Sequence, residues 1–243
     1  MSNKISNNLG LTKEEELYLK KKNKITMCVD PDWMPFEKIQ NGEHIGLASD
    51  FVKLISKKIN TPINLVETSS WSESIEKAKN RECDIFSMAS ITPERKKYMN
   101  FTSPYLSTQI VIATKTSEIY LNDLDGSLDK IFGVVKGYSL HETLKNNYPN
   151  IKLVEVDSLN DGLEKVLEGK IFGYLDNSMV IMYAIQKKFL GTVSIVGKIN
   201  KEIEYRVHTR NDEKILNEIF EKAVLSITTD EKQKIENKWL RFE

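Results

Sequence analysis

The chain has 243 residues, 40% hydrophobic and 29% charged, which is ordinary for a globular protein that buries a core in one domain or two lobes. Its 35 Lys and Arg residues balance 35 Asp and Glu residues, so no basic excess favours nucleic acid or an anionic membrane surface. No run reaches the roughly 18 apolar residues of a transmembrane helix, and residues 1–16 lack the apolar segment of a signal peptide. We therefore expect a soluble chain with a small-molecule partner and no nucleic acid.

The first predicted element is a leader helix within residues 1–23. Thr12 and Glu15 have the spacing of a capping box, and a lysine-rich run follows before the first apolar strand.

Short apolar strands and amphipathic helices then alternate along the chain. The predicted strands are 25–29, 63–68, 83–88, 109–114, 131–135, 152–156, 171–175 and 193–197, and the predicted helices are 50–59, 71–80, 140–148, 158–169 and 211–227. This alternation predicts an α/β fold with parallel βαβ units. Ligands bind at the carboxyl ends of such strands, where residues 30–36, 87–95, 137–139 and Asp176 fall.

The segment from Cys83 to Leu106 joins a short apolar strand to a polar turn that carries one arginine. Pro93 stands at a favoured first helical position, so the sequence predicts that the strand leads into a helix start with Arg95 one turn inside. Small hydroxyls, backbone amides and a guanidinium together suit a carboxylate. The alternative is that Arg95 pairs with a surface acid.

A second informative segment, Ile171 to Ile185, is an apolar run that contains one acidic residue, Asp176. A buried carboxylate is costly unless something pairs with it. One fixed cation, Arg95, and one fixed anion, Asp176, complement a zwitterionic α-amino acid.

The chain from about Lys24 to Trp239 resembles the bacterial extracellular solute-binding proteins, family 3, of the polar amino-acid type. The motifs that carry the resemblance occur in the family's order, at residues 30–38, 46–59, 69–85, 88–95, 134–144 and 174–178. The resemblance implies a two-lobed Venus flytrap, in which each lobe is a mostly parallel sheet flanked by helices and two hinge strands join the lobes. It implies lobe 1 at 24–112 and 206–243, lobe 2 at 113–205, and chain crossings near Ile110–Thr114 and Ile203–Val207.

The resemblance also implies ligand-binding residues in the first lobe. These are Asp30, Trp33, Phe36, Trp71, Ser87, Met88, Ser90 and Arg95. Trp33 and Trp71 would form opposite pocket walls, the Met88 carbonyl would lie near the ligand amine, and Ser90 with Arg95 would bind the ligand carboxylate.

In the second lobe, the implied ligand-binding residues are Gly137, Tyr138, Ser139, Leu175 and Asp176. Backbone amides at 137–139 would bind the same carboxylate, and Asp176 would receive the α-ammonium group. Many relatives have a small residue where Tyr138 and Ser139 stand, which leaves the side-chain preference open. Although Asp30, Asp32 and Glu37 are close in sequence, no second fixed charge is evident in the lining, which favours an uncharged ligand side chain.

The implied function is extracytoplasmic amino-acid binding, with lobe closure as the signal. The leader before the DPDWMPF loop resembles sensor domains of membrane-bound histidine kinases and diguanylate cyclases, which implies receptor parts outside this chain and a possible homodimer through that receptor. The alternatives are a free component of an amino-acid transporter, an enzyme similar to cyclohexadienyl dehydratase, and a tandem module that binds nothing.

The remaining reactive residue types form no further motif. Cys28 and Cys83 are either a disulfide or two buried thiols. The three histidines, His44, His141 and His208, are scattered without metal-ligand spacing. We therefore expect no catalytic residue, no metal and no cofactor.

Overall fold

The structure, a computed structural model, describes residues 9–121 and 124–240. Its elements up to residue 115 are α1 (Lys13–Lys22), β1 (Ile25–Cys28), β2 (Asp32–Trp33), β3 (Glu37–Gln40), β4 (Glu43–Ile45), α2 (Leu47–Ile59), β5 (Ile63–Leu65), α3 (Trp71–Lys79), β6 (Ile85–Ala89), β7 (Met99–Phe101) and β8 (Leu106–Lys115). Those that follow are β9 (Ile131–Val135), α4 (Ser139–Asn147), β10 (Lys152–Val156), α5 (Leu159–Leu167), β11 (Gly173–Asn177), α6 (Ser178–Ala184), β12 (Val193–Arg210), α7 (Lys214–Leu225) and α8 (Thr229–Trp239).

The strands pair along one path, β10-β9-β11-β8-β12-β6-β1-β5, and β7 also pairs with β12. The outer pairs at both ends are parallel, as the βαβ pattern predicts, whereas β8 and β12 pair antiparallel with their neighbours. A separate small sheet contains β2, β3 and β4. Each half of the path is the sheet of one lobe, and the two-lobed α/β fold predicted from the sequence is confirmed.

Two long strands connect the lobes. Residues 110–113 of β8 pair with β11, while residues 206–209 of β12 pair with β6. Before β8, Thr102 and Tyr105 bond to the backbone of Val207 and Tyr205. Strand β12 pairs with β8 up to Tyr205 and with β6 from Arg206, so this change of partner falls within the expected crossing at 203–207. Tyr205 lies opposite Leu106, a few residues before the expected crossing at 110–114. The lobe limits at 112/113 and 205/206 stay predictions.

Helix α2 shows why these segments form helices that pack on the sheet. Leu47, Phe51, Ile55 and Ile59 recur every four residues and are fully or nearly fully buried. Burying one such side chain contributes roughly 1.5–3 kcal/mol, which makes this apolar face the main stabilising feature of the helix.

The chain departs from the sequence prediction after β6. The helix expected from Pro93 onward is wrong, because only a single 3₁₀ turn forms at Arg95–Lys97. The chain then enters β7, which pairs with β12, so there is no room for a longer helix. Arg95 nevertheless stands at the expected place beyond the end of β6.

The first and last helices both pack on lobe 1. The predicted capping box of Thr12 and Glu15 is confirmed, and the Glu15 carboxylate also pairs with Lys222 of α7 at 2.7 Å. At the other end, Trp239 donates its indole N–H to Asp50 of α2 at 2.7 Å. Electrostatic contacts thus hold both ends of the described chain on the same lobe.

Cys28 and Cys83 form a disulfide, with their Cα atoms 5.7 Å apart. The bond joins the end of β1 to the residues just before β6. Of the two alternatives left open by the sequence, the structure therefore has the disulfide rather than two free thiols.

Within residues 9–121 and 124–240, none of the helices combines the length and apolar character needed to cross a bilayer. The same residues contain no group of His, Cys, Asp and Glu side chains suited to a metal ion.

Candidate functional site

A cleft between the lobes encloses about 390 Å³, counting its opening to solvent. The residues that line it are Asp30, Trp33, Trp71, Met88, Ala89, Ser90, Arg95, Ile110, Tyr138, Ser139, Leu140, Asp176, Asn177, Ile203 and Tyr205. Most of the binding residues implied by the sequence therefore line this cleft. Strand ends and helix starts position them, as expected for an α/β sheet.

The loop from Asp30 to Phe36 carries Trp33 into the cleft. Glu37, which is fully buried, accepts the Asp30 backbone N–H at 2.9 Å and a hydrogen bond from the Ser87 hydroxyl. It also lies 3.1 Å from Nε2 of His44. Glu37 thus ties this loop to two neighbouring strands.

Gly46, the N-cap residue of α2, lets the helix approach the same loop closely. It has a φ of +111°, and a Cβ there would lie 2.5 Å from the carbonyl oxygen of Phe36. Any side chain would displace the loop, so only glycine fits this position.

Arg95 is buried and is held by uncharged groups. It donates to the carbonyl oxygens of Ser90 at 2.6 Å and Gly137 at 3.2 Å, and its guanidinium lies 5.3 Å from the centre of the Trp71 ring. Burial lowers the pKa of Arg95 from its usual value. Among the described residues no carboxylate forms an ion pair with it, so the surface pairing considered for Arg95 does not occur.

The N-terminus of α4 faces Arg95 across the cleft. Its N-cap residue, Tyr138, makes no side-chain capping bond, and the Ser139 hydroxyl is hydrogen bonded to the Ser90 hydroxyl. Backbone N–H groups at a helix start favour a negative charge. Arg95, Ser90 and the α4 start together form a region suited to a carboxylate.

Asp176 is the complementary charge, fully buried at the end of β11. Its carboxylate accepts hydrogen bonds from the Tyr174 hydroxyl at 2.8 Å and from the Trp33 indole at 3.4 Å. It also accepts from the backbone N–H of Asn177 at 2.7 Å and from the side-chain amide of the same residue at 3.0 Å. Burial raises the pKa of Asp176, and these hydrogen bonds oppose the rise. All of these donors are uncharged, so the carboxylate lacks a cation among the described residues.

A second carboxylate, that of Asp30, also lies in the wall. It accepts the Tyr138 hydroxyl at 2.7 Å and the Asp32 backbone N–H at 3.0 Å. Burial raises the pKa of Asp30 to about 7. Asp30 thus lines the cleft, as the resemblance implied, with its carboxylate hydrogen bonded to Tyr138, whereas Glu37 lies outside the cleft.

Several predicted residues lie behind or beside the wall. Phe36 packs against the Trp33 and Tyr205 rings, Ser87 bonds to Glu37, and Leu175 points away from the cleft because neighbours on a strand face opposite sides. Gly137 contributes its carbonyl oxygen, which accepts from both Arg95 and the Trp71 indole.

Sequence reasoning missed several lining residues. They are Ala89, Ile110, Leu140, Asn177, Ile203 and Tyr205. Asn177 directly follows Asp176 and could have been inferred from that position, whereas Ile110, Ile203 and Tyr205 lie on β8 and β12 and look like ordinary strand residues.

Residues 25–242 match the family model of the bacterial extracellular solute-binding proteins, family 3. The chain belongs to this family, and the two lobes with a cleft between them are consistent with that membership.

Two curated relatives differ in how much of their length the chain covers. The chain is 28% identical over 228 residues to the ABC transporter arginine-binding protein 1 of Escherichia coli K12, covering 89% of this chain and 90% of that protein. It is 21% identical over 207 residues to the virulence sensor protein BvgS of Bordetella pertussis Tohama I, covering 84% of this chain but 17% of that protein. The match thus covers nearly all of that binding protein but a small part of the sensor.

The fold is also similar to that of the B. pertussis BvgS periplasmic domain. The TM-score is 0.87 at 19% identity, with 95% of this chain and 45% of that chain covered. This likeness supports the fold alone.

Proposed function

We propose that this protein binds an L-amino acid in the cleft outside the cytoplasm, and that closure of the lobes on the ligand signals to a membrane-bound sensor of the histidine kinase or diguanylate cyclase type. The observation that carries the proposal is that Arg95 and Asp176, both buried in the wall of one cleft, are each held by uncharged groups only. A free amino acid brings a carboxylate for the first and an ammonium group for the second.

The distribution of the site between the lobes supports closure as the response. Ser90 and Arg95 belong to the lobe 1 side, whereas the α4 start and Asp176 belong to the lobe 2 side. A ligand that contacts both sides stabilises the closed state by the contacts that the open state lacks. Charge-assisted hydrogen bonds contribute on the order of 1.5–3 kcal/mol each, which is enough to shift such an equilibrium.

The proposal assigns binding rather than catalysis to these residues. An elimination reaction of the dehydratase type would need a general acid aimed at the ligand in addition to Asp176. Asp30 is the other acid in the wall, and its carboxylate accepts a bond from Tyr138. A spectrophotometric assay with prephenate or arogenate tests this, and turnover would contradict the proposal.

A second candidate is the free binding component of an amino-acid transporter. The observation that favours it is the coverage of nearly the whole E. coli arginine-binding protein. The pocket chemistry is the same in both cases, so the genes beside the one that encodes this chain, and that gene's full length, discriminate between the candidates.

The test of the shared claim is isothermal titration calorimetry with the twenty amino acids, each compared with its amine-free and carboxylate-free analogue. We expect binding of an intact amino acid and loss of binding when either group is missing. Binding of an analogue as tight as that of the parent amino acid would contradict the zwitterion site.

A further inference from the structure

Apart from the contacts of Arg95 and Asp176, the most informative contact in the cleft is the hydrogen bond between Tyr138 and Asp30. The Tyr138 hydroxyl, at the start of α4, donates to Oδ2 of Asp30 in lobe 1 at 2.7 Å. Both residues line the cleft. The bond therefore spans the cavity from one lobe to the other.

The Tyr138 ring fills the space beside this bond. Its centre lies 5.6 Å from that of the Trp33 ring, in an edge arrangement with an interplanar angle of 65°. Trp33 in turn reaches Asp176, which we assign to the ligand ammonium. A ligand side chain that points from its Cα atom toward Asp30 thus meets an aromatic ring.

The position of Tyr138 in the chain couples this ring to ligand binding. Its neighbour Ser139 contacts Ser90 in the region suited to the ligand carboxylate. The same helix start therefore carries the carboxylate contacts and the ring, so closure on the carboxylate brings Tyr138 to Asp30 in the same movement.

We propose that Tyr138 is a specificity-determining residue that closes the cleft over Asp30 and restricts the ligand to amino acids with a small, uncharged side chain, such as glycine, alanine or serine. This inference rests on the proposed amino-acid function. A long cationic side chain would need Oδ2 of Asp30, which the Tyr138 hydroxyl occupies, and it would need the volume of the ring.

Two further observations agree with a small ligand. The cavity inside the cleft is only about 30 Å³, against roughly 10–15 Å³ needed to hold one water molecule, so it leaves little room for a ligand side chain. In addition, burial raises the pKa of Asp30 to about 7, so near neutral pH a large fraction of this carboxyl group is protonated and is a poor partner for a cation.

The experiment compares glycine, L-alanine, L-serine, L-lysine and L-arginine by calorimetry on the wild-type chain and three variants. For the wild type we expect the small amino acids to bind at least ~10-fold more tightly than lysine and arginine. Tyr138→Ala should bind lysine and arginine at least ~10-fold more tightly than the wild type does, because Asp30 is then uncovered. Tyr138→Ala with Asp30→Asn should lose that gain.

Tyr183→Ala is the matched control, since this tyrosine lies on α6 outside the cleft and contacts Lys187. It should keep the wild-type ranking. A wild type that binds arginine or lysine as tightly as glycine or alanine would overturn the role of Tyr138 and leave amino-acid binding intact. If none of the five binds to the wild type or to Tyr138→Ala, this inference is overturned, and if none of the remaining natural amino acids binds either, the proposed function is overturned as well. The wild-type ranking decides even if a variant does not fold.

Discussion

Arg95 and Trp71 donate hydrogen bonds to the same atom, the carbonyl oxygen of Gly137, each at 3.2 Å. The guanidinium also lies over the indole ring. A cation–π contact of this kind contributes on the order of 1–2 kcal/mol when it is desolvated. Trp71 therefore orients the arginine and at the same time joins lobe 1 to the turn before α4 in lobe 2.

We expect Trp71→Phe to weaken ligand binding about tenfold, because the indole N–H bond is lost and the smaller ring supports Arg95 less well. Calorimetry with the best ligand measures the change. Trp239→Phe is the control, since the Trp239 indole bonds to Asp50 on the outside of lobe 1. Equal affinities of Trp71→Phe and the wild type would show that Trp71 has no part in the site.

Asp176→Asn should have opposite effects on binding and on stability. Affinity should fall at least about a hundredfold, because the ligand ammonium loses its counter-charge. The ligand-free protein should unfold at the same temperature or higher, since an amide can satisfy the same uncharged neighbours without the cost of a buried charge. Calorimetry and thermal unfolding measure the two effects.

Asp50→Asn is the control for Asp176→Asn, because Asp50 pairs with Lys238 on the surface of lobe 1. It should lower stability slightly and leave affinity unchanged. A large fall in the unfolding temperature of ligand-free Asp176→Asn would mean that Asp176 serves the fold rather than the ligand.

Asp30 should make stability depend on pH. Its folded-state pKa is raised to about 7, above the usual value of about 3.9 in an unfolded chain. The folded state thus holds a proton that the unfolded state has released, and stability from this group is present below about pH 4 and is lost as the pH rises toward 7. Asp30→Asn should flatten the free energy of unfolding between pH 4 and 7, as measured by urea unfolding. A wild-type slope that Asp30→Asn leaves unchanged would contradict this assignment.

The disulfide between Cys28 and Cys83 should contribute substantially to stability. The two cysteines are 55 residues apart in sequence, and closing a loop of that length in the unfolded chain corresponds to about 4 kcal/mol. We expect the Cys28→Ser, Cys83→Ser double variant to lose most of that free energy of unfolding in urea. The oxidised and reduced wild-type proteins should differ by a similar amount, and no difference between them would contradict the bond.

Gly46→Ala should distort the loop that carries Trp33. The added methyl group would collide with the Phe36 carbonyl, and the alanine would have to adopt a φ of +111°. We therefore expect the free energy of unfolding to fall by about 2 kcal/mol or more and ligand binding to weaken. Gly191→Ala is the matched control, because Gly191 also has a positive φ, +76°, but no atom lies within 4 Å of its added Cβ. Gly191→Ala should cost about 1 kcal/mol and leave affinity unchanged.

The sequence predicted the parts of the fold that depend on local pattern. Alternating strands and helices, the capping box at Thr12 and the positions of Arg95 and Asp176 at strand ends follow from periodicity, spacing and the cost of burying a charge. The small sheet of β2, β3 and β4 was missed because its strands are too short to show a period.

The rest of the site depends on contacts between distant segments. The bond from Tyr138 to Asp30 joins residues 108 positions apart, and the place of Tyr205 in the wall depends on where β12 passes from one lobe to the other. Neither follows from local residue patterns. The 3₁₀ turn at Arg95 likewise results from the pairing of β7 with β12, and helix propensity does not predict such a pairing.

Because α1 and α8 are both fixed to lobe 1, the distance between these two helices is independent of the position of lobe 2. A pair of spectroscopic labels, one on each helix, would give a constant internal reference. A label on α5 of lobe 2 would change its distance to both helices at once as the cleft opens or closes. The α1–α8 distance therefore calibrates the distances to α5, and the open and closed populations can be measured without knowledge of the ligand.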